Sequence, residues 1–148
     1  MKVLLDTSTL VAGMLRDHPH KVACRPWILA VRDGLHEGVL CSHSLAEFYA
    51  TMTAMPLKPQ LSPSETRQTL EELLTHFEIV PLLEADYLAA LDLVTSRLLR
   101  SGAIFDALHE IAARKAAADR LVTVNVAHFE RFRDDVDSWI IDPRRTAP

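Results

Sequence analysis

The sequence predicts an α/β fold in which helices cover both faces of a mostly parallel sheet of about five strands. Two observations lead to this prediction. Short apolar runs alternate with longer segments of helical periodicity along the whole chain. The apolar runs also lack the in-and-out alternation of a strand with one exposed face. At 148 residues the chain fits one domain, which is large enough to bury a core without disulfides.

The first half of the chain supplies two strands and three helices. Short apolar runs at 3–5 and 38–42 predict the strands. Helices are predicted over about 10–15, 24–35 and 45–55. The last of these has apolar residues at positions i, i+3, i+4 and i+7, which form one face of a helix.

The second half opens with a loop, because the segment 56–63 carries three prolines that a helix interior does not tolerate. A helix start follows, since Ser62 precedes a proline and Glu65 stands three positions later. Strands and helices then alternate, with strands over 78–83, 121–124 and 139–142 and helices over 84–100, 103–118 and about 126–133. We expect one domain over 1–142 and a short C-terminal tail over 143–148.

Composition excludes several classes of protein. The net charge of −4 argues against a protein that coats nucleic acid, although it permits a nuclease whose acidic site is screened by a metal. No apolar run approaches the 20 or so residues of a membrane span, and no signal peptide is read at the start. Cys24 and Cys41 are expected to be reduced thiols in a cytoplasmic protein. The chain has no zinc-ligand spacing and no glycine-rich phosphate loop.

Polar side chains recur where a parallel sheet binds its ligands, beyond the carboxyl ends of the strands. Asp6 follows the first strand, Glu47 comes after the second, and Asn125 follows the fourth. Each also has a structural interpretation. Asp6 and Asn125 suit helix caps, and the stretch from Ser44 to Glu47 fits a capping box.

Asp106 is the most informative of these positions. It lies in an alanine-rich, apolar helix, where a carboxylate is costly unless it is paired or bound to metal. Glu110, one turn later, is predicted to share its face and to add negative charge without a cation. A divalent cation would turn that repulsion into attraction.

Four blocks occur in a familiar order along the chain: "VLLDTSTLVA", "SLAEFYA", "SGAIFDALHEIAA" and "LVTVNVAHFERF". Together they resemble the blocks of a PIN domain, and more narrowly those of the VapC-type ribonuclease toxins of bacterial toxin–antitoxin pairs. The resemblance covers essentially the whole chain. It implies a three-layer α/β/α fold, an acidic site that holds one or two Mg²⁺ or Mn²⁺ ions, and hydrolysis of RNA phosphodiester bonds.

The resemblance also implies roles for individual residues. Asp6 and Asp106 would be direct metal ligands, and Glu47 would bind through water or orient the attacking nucleophile. Many members of the family carry an aspartate at the position of Asn125. Because this chain has an asparagine there, the resemblance leaves open whether the site holds one metal ion or two. Other candidates support the acids or contact RNA: Thr7, Ser8 and Thr123 for support, and Arg97, Arg100, Arg114 and Lys115 for RNA.

Partners are implied in the same way. A toxin of this kind has an antitoxin whose tail enters the acidic site, and it commonly forms a homodimer. Four apolar residues near the proline loop fit either a groove for that antitoxin or the core: Met52, Met55, Leu57 and Leu61. Two other functions stay open. One is a PIN-like module that binds RNA or a partner with little or no cleavage, and the other is a metal phosphohydrolase of small phosphate esters.

Overall fold

The structure, a computed structural model, describes residues 1–133 and 139–148. Its centre is one parallel sheet in the order β3-β2-β1-β4-β5. The strands are β1 (Lys2–Leu5), β2 (Glu37–Cys41), β3 (Phe77–Val80), β4 (Arg120–Val122) and β5 (Ile140–Ile141). The predicted fold class is therefore confirmed.

Helices connect the strands and cover both faces of the sheet. In chain order they are α1 (Thr7–Met14), α2 (Lys21–Arg32), α3 (His43–Ala54), α4 (Pro63–Leu74), α5 (Glu84–Ser96), α6 (Ala103–Lys115) and α7 (Val126–Glu130). Within the described part of the chain, none is long and apolar enough to cross a membrane.

The central strand shows why the apolar runs do not alternate with polar residues. Val3 and Leu5 pack against α1 and α2, whereas Leu4 packs against the helices of the opposite face. All three side chains are fully buried. A strand that is covered on both faces carries apolar residues at every position, and this is the pattern the sequence shows.

Several element ends differ from the prediction for local reasons. Helix α1 begins three residues earlier, at Thr7, because the Asp6 carboxylate caps it. Helix α5 ends at Ser96 because Leu98 adopts a left-handed conformation, with φ of 54°, that stops the helix. Helix α4 begins as predicted, with Ser62 and Glu65 forming a reciprocal capping box.

Side chains near the proline loop pack inward. Met52 is 3% exposed and belongs to the core beneath α3. The other three apolar residues of that region are partly buried against the same core: Met55, Leu57 and Leu61. The structure therefore favours the core interpretation of these residues over a groove for a partner.

The chain order creates a switch point at the middle of the sheet. From β1 the chain moves outward through β2 to β3, and then returns across β1 to β4 on the other side. The connections that leave the carboxyl ends of β1 and β4 therefore diverge, and a crevice opens between them. This is the edge at which the sequence places Asp6.

Candidate active site

A cleft of about 570 Å³ opens at the carboxyl edge of the sheet. The four predicted site residues Asp6, Glu47, Asp106 and Asn125 all line it. They come from the ends of β1 and β4 and from helices α3 and α6, so the fold brings together residues that are far apart in the sequence.

Asp6 is held by hydroxyl groups and by the start of α1. The Thr9 backbone N–H donates to Oδ1 at 2.9 Å, and the Thr123 hydroxyl donates to Oδ2 at 2.8 Å. The Ser8 hydroxyl lies within 2.9 Å of both carboxylate oxygens, but it has only one proton to donate. Asp6 therefore caps the helix and still has a lone pair for a cation, so the two interpretations of this residue are compatible.

Thr123 connects the two sides of the switch point. Its buried hydroxyl donates to Asp6 and accepts a hydrogen bond from the Asn125 backbone N–H at 2.9 Å. Asn125 lies at the N-terminal cap position of α7, but within the described part of the chain its side chain makes no capping hydrogen bond. The cap interpretation of Asn125 is thus not realised, and this exposed residue lies in the cleft wall instead.

Glu47 is fixed by two residues from other elements. The Thr7 hydroxyl donates to Oε2 at 2.9 Å, and Nε2 of His109 lies 2.8 Å from the same oxygen. The capping box suggested by Ser44 and Glu47 does not form, because α3 already begins at His43 and the buried Ser44 hydroxyl has no partner among the described residues. Glu47 therefore faces the cleft rather than its own helix start.

His109 is a site residue that the sequence interpretation missed. It is 3% exposed, and its Nδ1 meets no partner among the described residues, so Nε2 carries the proton toward Glu47. Burial favours the neutral ring, but the hydrogen bond and charge of Glu47 outweigh it and raise the pKa of His109. Burial likewise opposes ionisation of Glu47, yet His109 lowers the pKa of that carboxyl. The available signal was its spacing of three residues from Asp106 on one helix.

Asp106 is held less firmly than the other two acids. Its Oδ2 lies 3.3 Å from Nδ1 of His128 and 3.3 Å from a guanidinium nitrogen of Arg131. Burial raises the pKa of Asp106, and the charge of Asp6 acts in the same direction, while the neighbouring cations oppose them. A cation bound beside Asp106 would therefore stabilise its ionised form.

Glu110 does not belong to the cleft, and the expectation that it lacks a cation is wrong. Its side chain is fully buried, and Oε1 accepts hydrogen bonds from Arg114 at 2.7 Å and from Arg133 at 2.8 Å. Arg133 comes from the segment after α7 and stacks 3.5 Å from the ring centre of Trp139. This is a buried ion pair that joins α6 to the C-terminal part of the fold.

The proposed RNA-contacting residues lie outside the cleft lining. Arg114 pairs with Glu110, and Lys115 donates to Asp86. Arg97 and Arg100 are exposed at and beyond the end of α5. None of the four lines the cleft as the described residues define it, so their contact with RNA stays a prediction.

The donor set of the cleft suits a hard divalent cation. Asp6 and Asp106 both offer carboxylate oxygens. The two residues lie close enough together for the charge of Asp6 to raise the pKa of Asp106. No three acidic, histidine or cysteine side chains of the described residues converge as a full set of ligands. Mg²⁺ does not require such a set, because it keeps several waters and is held by one or two carboxylates together with substrate phosphate.

Comparison with known proteins is consistent with this geometry. Residues 3–134 match the family model of the PIN domain. Ribonuclease VapC27 of Mycobacterium tuberculosis is 29% identical to this chain over 116 residues, which are 78% of this chain and 79% of the relative.

Two solved structures share the fold. FitAcB from Neisseria gonorrhoeae superposes with a TM-score of 0.68 at 16% identity, over 97% of this chain and 99% of that chain. A toxin-antitoxin complex from Klebsiella pneumoniae gives a TM-score of 0.61 at 16% identity, over 95% of this chain and 97% of that chain.

Proposed function

The chain belongs to the PIN domain family, and from that membership we propose that it is a metal-dependent endoribonuclease acting as the toxin of a toxin–antitoxin pair. The observation that carries the proposal is the meeting of Asp6, Glu47 and Asp106 in one cleft. The name of the relative VapC27, a ribonuclease, supports RNA as the substrate. The reaction is hydrolysis of a phosphodiester bond.

Asp6 and Asp106 would hold Mg²⁺ or Mn²⁺, with Glu47 bound through water. When bound, the ion would lower the pKa of its water and offset negative charge on the phosphate. Ser8, Thr9 and Thr123 orient Asp6 by their hydrogen bonds.

The surroundings of Glu47 and Asp106 suit the two carboxyl groups to different roles in the reaction. His109 lowers the pKa of Glu47 and, with Thr7, fixes the position of its Oε2. Glu47 is therefore suited to orienting the attacking water. Burial and the charge of Asp6 disfavour ionisation of Asp106, so a cation bound beside it would offset that cost.

The proposed partners are RNA, an antitoxin protein and a second copy of this chain, in the cytoplasm. The antitoxin is supported by the shared fold with the toxin-antitoxin complex from Klebsiella pneumoniae. Its tail would enter the same cleft, where it would compete with RNA.

The proposal is tested by incubating the purified chain with RNA and Mg²⁺ or Mn²⁺ and sequencing the RNA ends. Cleavage is expected with metal and should be lost on adding a chelator. Asp6→Asn should also abolish it, while the fold is kept because asparagine caps a helix as well as aspartate does. Undiminished cleavage by folded Asp6→Asn protein would overturn the assigned mechanism.

A second candidate function is favoured by Asn125. A PIN-like module that binds RNA or a partner without cutting needs no acid at this position. Persistent RNA binding with no cleavage in excess Mn²⁺ would support this function over the ribonuclease.

A further inference from the structure

The last residues of the chain are folded against the domain. The indole N–H of Trp27, a fully buried side chain of α2, donates to the Thr146 carbonyl at 3.2 Å. Residues 142–146 form a turn, in which the backbone N–H groups of Arg145 and Thr146 donate to the Asp142 carbonyl. The segment 143–148, predicted from the sequence as a tail, is thus placed beside the sheet edge that bears the cleft.

This turn fixes the direction of Arg144. Its Nε donates to Asp142 Oδ1 at 2.8 Å, and a terminal nitrogen donates to Oδ2 at 2.8 Å. The backbone N–H of Arg144 donates to the same carboxylate, whose side chain is 12% exposed. A two-point pair of this kind holds the guanidinium plane in place, so little freedom remains to be lost on binding a ligand.

Arg144 lines the same cleft as Asp6 and Asn125, near His18 and His20. A guanidinium has five N–H groups, and Asp142 uses two of them, so three remain for another anion. Arg145 also lies 3.7 Å from Asp142, which leaves one net positive charge on this turn. A cleft lined by three carboxylates repels a polyanion, and a fixed cation in its wall offsets that repulsion locally.

We propose that Arg144 binds a phosphodiester group of the RNA strand that enters the cleft, an inference that rests on the proposed ribonuclease function. The fork of the guanidinium matches two phosphate oxygens, and its charge matches theirs. The residue lies beyond 3–134, the part of the chain that the family model matches.

Arg145 provides a matched control within the same turn. It pairs with the same carboxylate, but its side chain is 86% exposed and it is not among the residues that line the cleft. Arg144→Ala and Arg145→Ala therefore remove the same charge from neighbouring positions, and only the first removes a group from the cleft.

The experiment measures binding of a labelled single-stranded RNA by fluorescence anisotropy in chelator, at several salt concentrations, with cleavage assays in parallel. Arg144→Ala should weaken binding about tenfold, the size of one charge-assisted hydrogen-bonded contact. The slope of log affinity against log salt should become shallower by about 0.7, one phosphate contact on a single strand. In cleavage assays the loss should appear in KM more than in kcat.

Two variants complete the design. Arg145→Ala should keep the affinity within about twofold and leave the salt slope of the wild type unchanged. Arg144→Lys keeps the charge without the fork, so it should keep the salt slope and recover part of the affinity. Thermal unfolding of each variant confirms that the fold is retained.

The outcomes separate this inference from the function on which it rests. If the wild type cuts RNA and Arg144→Ala binds RNA as tightly as Arg145→Ala does, the inference is overturned and the ribonuclease function stands. If the wild type neither binds nor cuts RNA, both are overturned.

Discussion

Asp106 and Glu110 lie one turn apart on α6, and the protein compensates the two carboxylates in opposite ways. Glu110 is fully buried and accepts hydrogen bonds at 2.7 and 2.8 Å from two arginines. Asp106 lines the cleft, and its neighbours His128 and Arg131 lie 3.3 Å away. The buried acid has two arginine partners on Oε1, although its Oε2 has none among the described residues. Burial and a second carboxylate raise the pKa of the cleft acid. An acid that the fold leaves short of stabilisation is a better candidate for a functional role than one it has neutralised.

The largest expected effect is the loss of activity in Asp106→Asn. A metal ion contributes several kcal/mol to stabilising the charge of the transition state, so losing one of its ligands should lower cleavage about 100-fold or more. Stability should be unchanged or slightly higher, because burial disfavours the charge that is removed. RNA cleavage and urea unfolding measure the two quantities. A clear loss of stability together with retained cleavage would mean that Asp106 has the structural role assigned to Glu110, and would contradict its role in cleavage.

Glu110→Gln should lower the stability of the fold and leave cleavage nearly unchanged. Breaking a fully buried ion pair costs about 3–5 kcal/mol. Arg114 is 47% exposed and can reach water, so we expect a loss of about 2 kcal/mol in the free energy of unfolding. Cleavage per folded molecule should stay within about threefold of the wild type, since Glu110 lies outside the cleft lining. Loss of cleavage in a fully folded Glu110→Gln protein would contradict the structural role.

Glu47 lies between these two extremes, and its pairing predicts a dependence on pH. The pKa of His109 is raised above 6.5, so the stabilisation it provides is complete below 6.5 and is lost as the pH rises through the folded pKa. The pKa of Glu47 is lowered below 4.5, so its contribution is present above 4.5 and is lost as the pH falls through the folded pKa. The pair therefore stabilises the fold most between these limits.

His109→Gln tests that window. Glutamine keeps one N–H donor but not the charge, so the variant should lose about 1 kcal/mol of stability near pH 6 and less near pH 9. Urea unfolding across this range measures the difference. A difference from the wild type that stays constant with pH would show that folding does not raise the pKa of His109.

The sequence carried the information for the fold and for part of the site. Apolar runs separated by polar turns predict all five strands, because burial on both faces leaves a local signal. Asp6 was recognisable because it ends the central strand. The end of α5 could not be predicted from the sequence, because Leu98 stops this helix by its backbone conformation and no glycine or proline marks the position.

What could not be predicted depends on contacts between distant residues. The local motif of Ser44 and Glu47 suggested a capping box, but His109, 62 residues away, holds Glu47 instead. Glu110 was predicted to lack a cation although one partner, Arg114, follows four residues later on the same helix; only its second partner, Arg133, is 23 residues away. The place of Arg144 in the cleft depends on how the C-terminal segment packs, and no local pattern encodes that packing.

The smallest expected effect distinguishes the arginines that face the two acids. Arg131 is 39% exposed and its nitrogen lies 3.3 Å from Asp106, so Arg131→Ala should change the free energy of unfolding by no more than about 0.5 kcal/mol. Arg133 is 19% exposed, contacts Glu110 at 2.8 Å and stacks on Trp139, so Arg133→Ala should cost about 2 kcal/mol. Urea unfolding of the two variants measures both losses, of which that of Arg133→Ala also includes the stacking on Trp139. Equal losses would mean that Asp106 is as firmly neutralised as Glu110. The unequal losses we expect would mean that Arg131 stabilises the fold through Asp106 less than Arg133 does through Glu110 and Trp139.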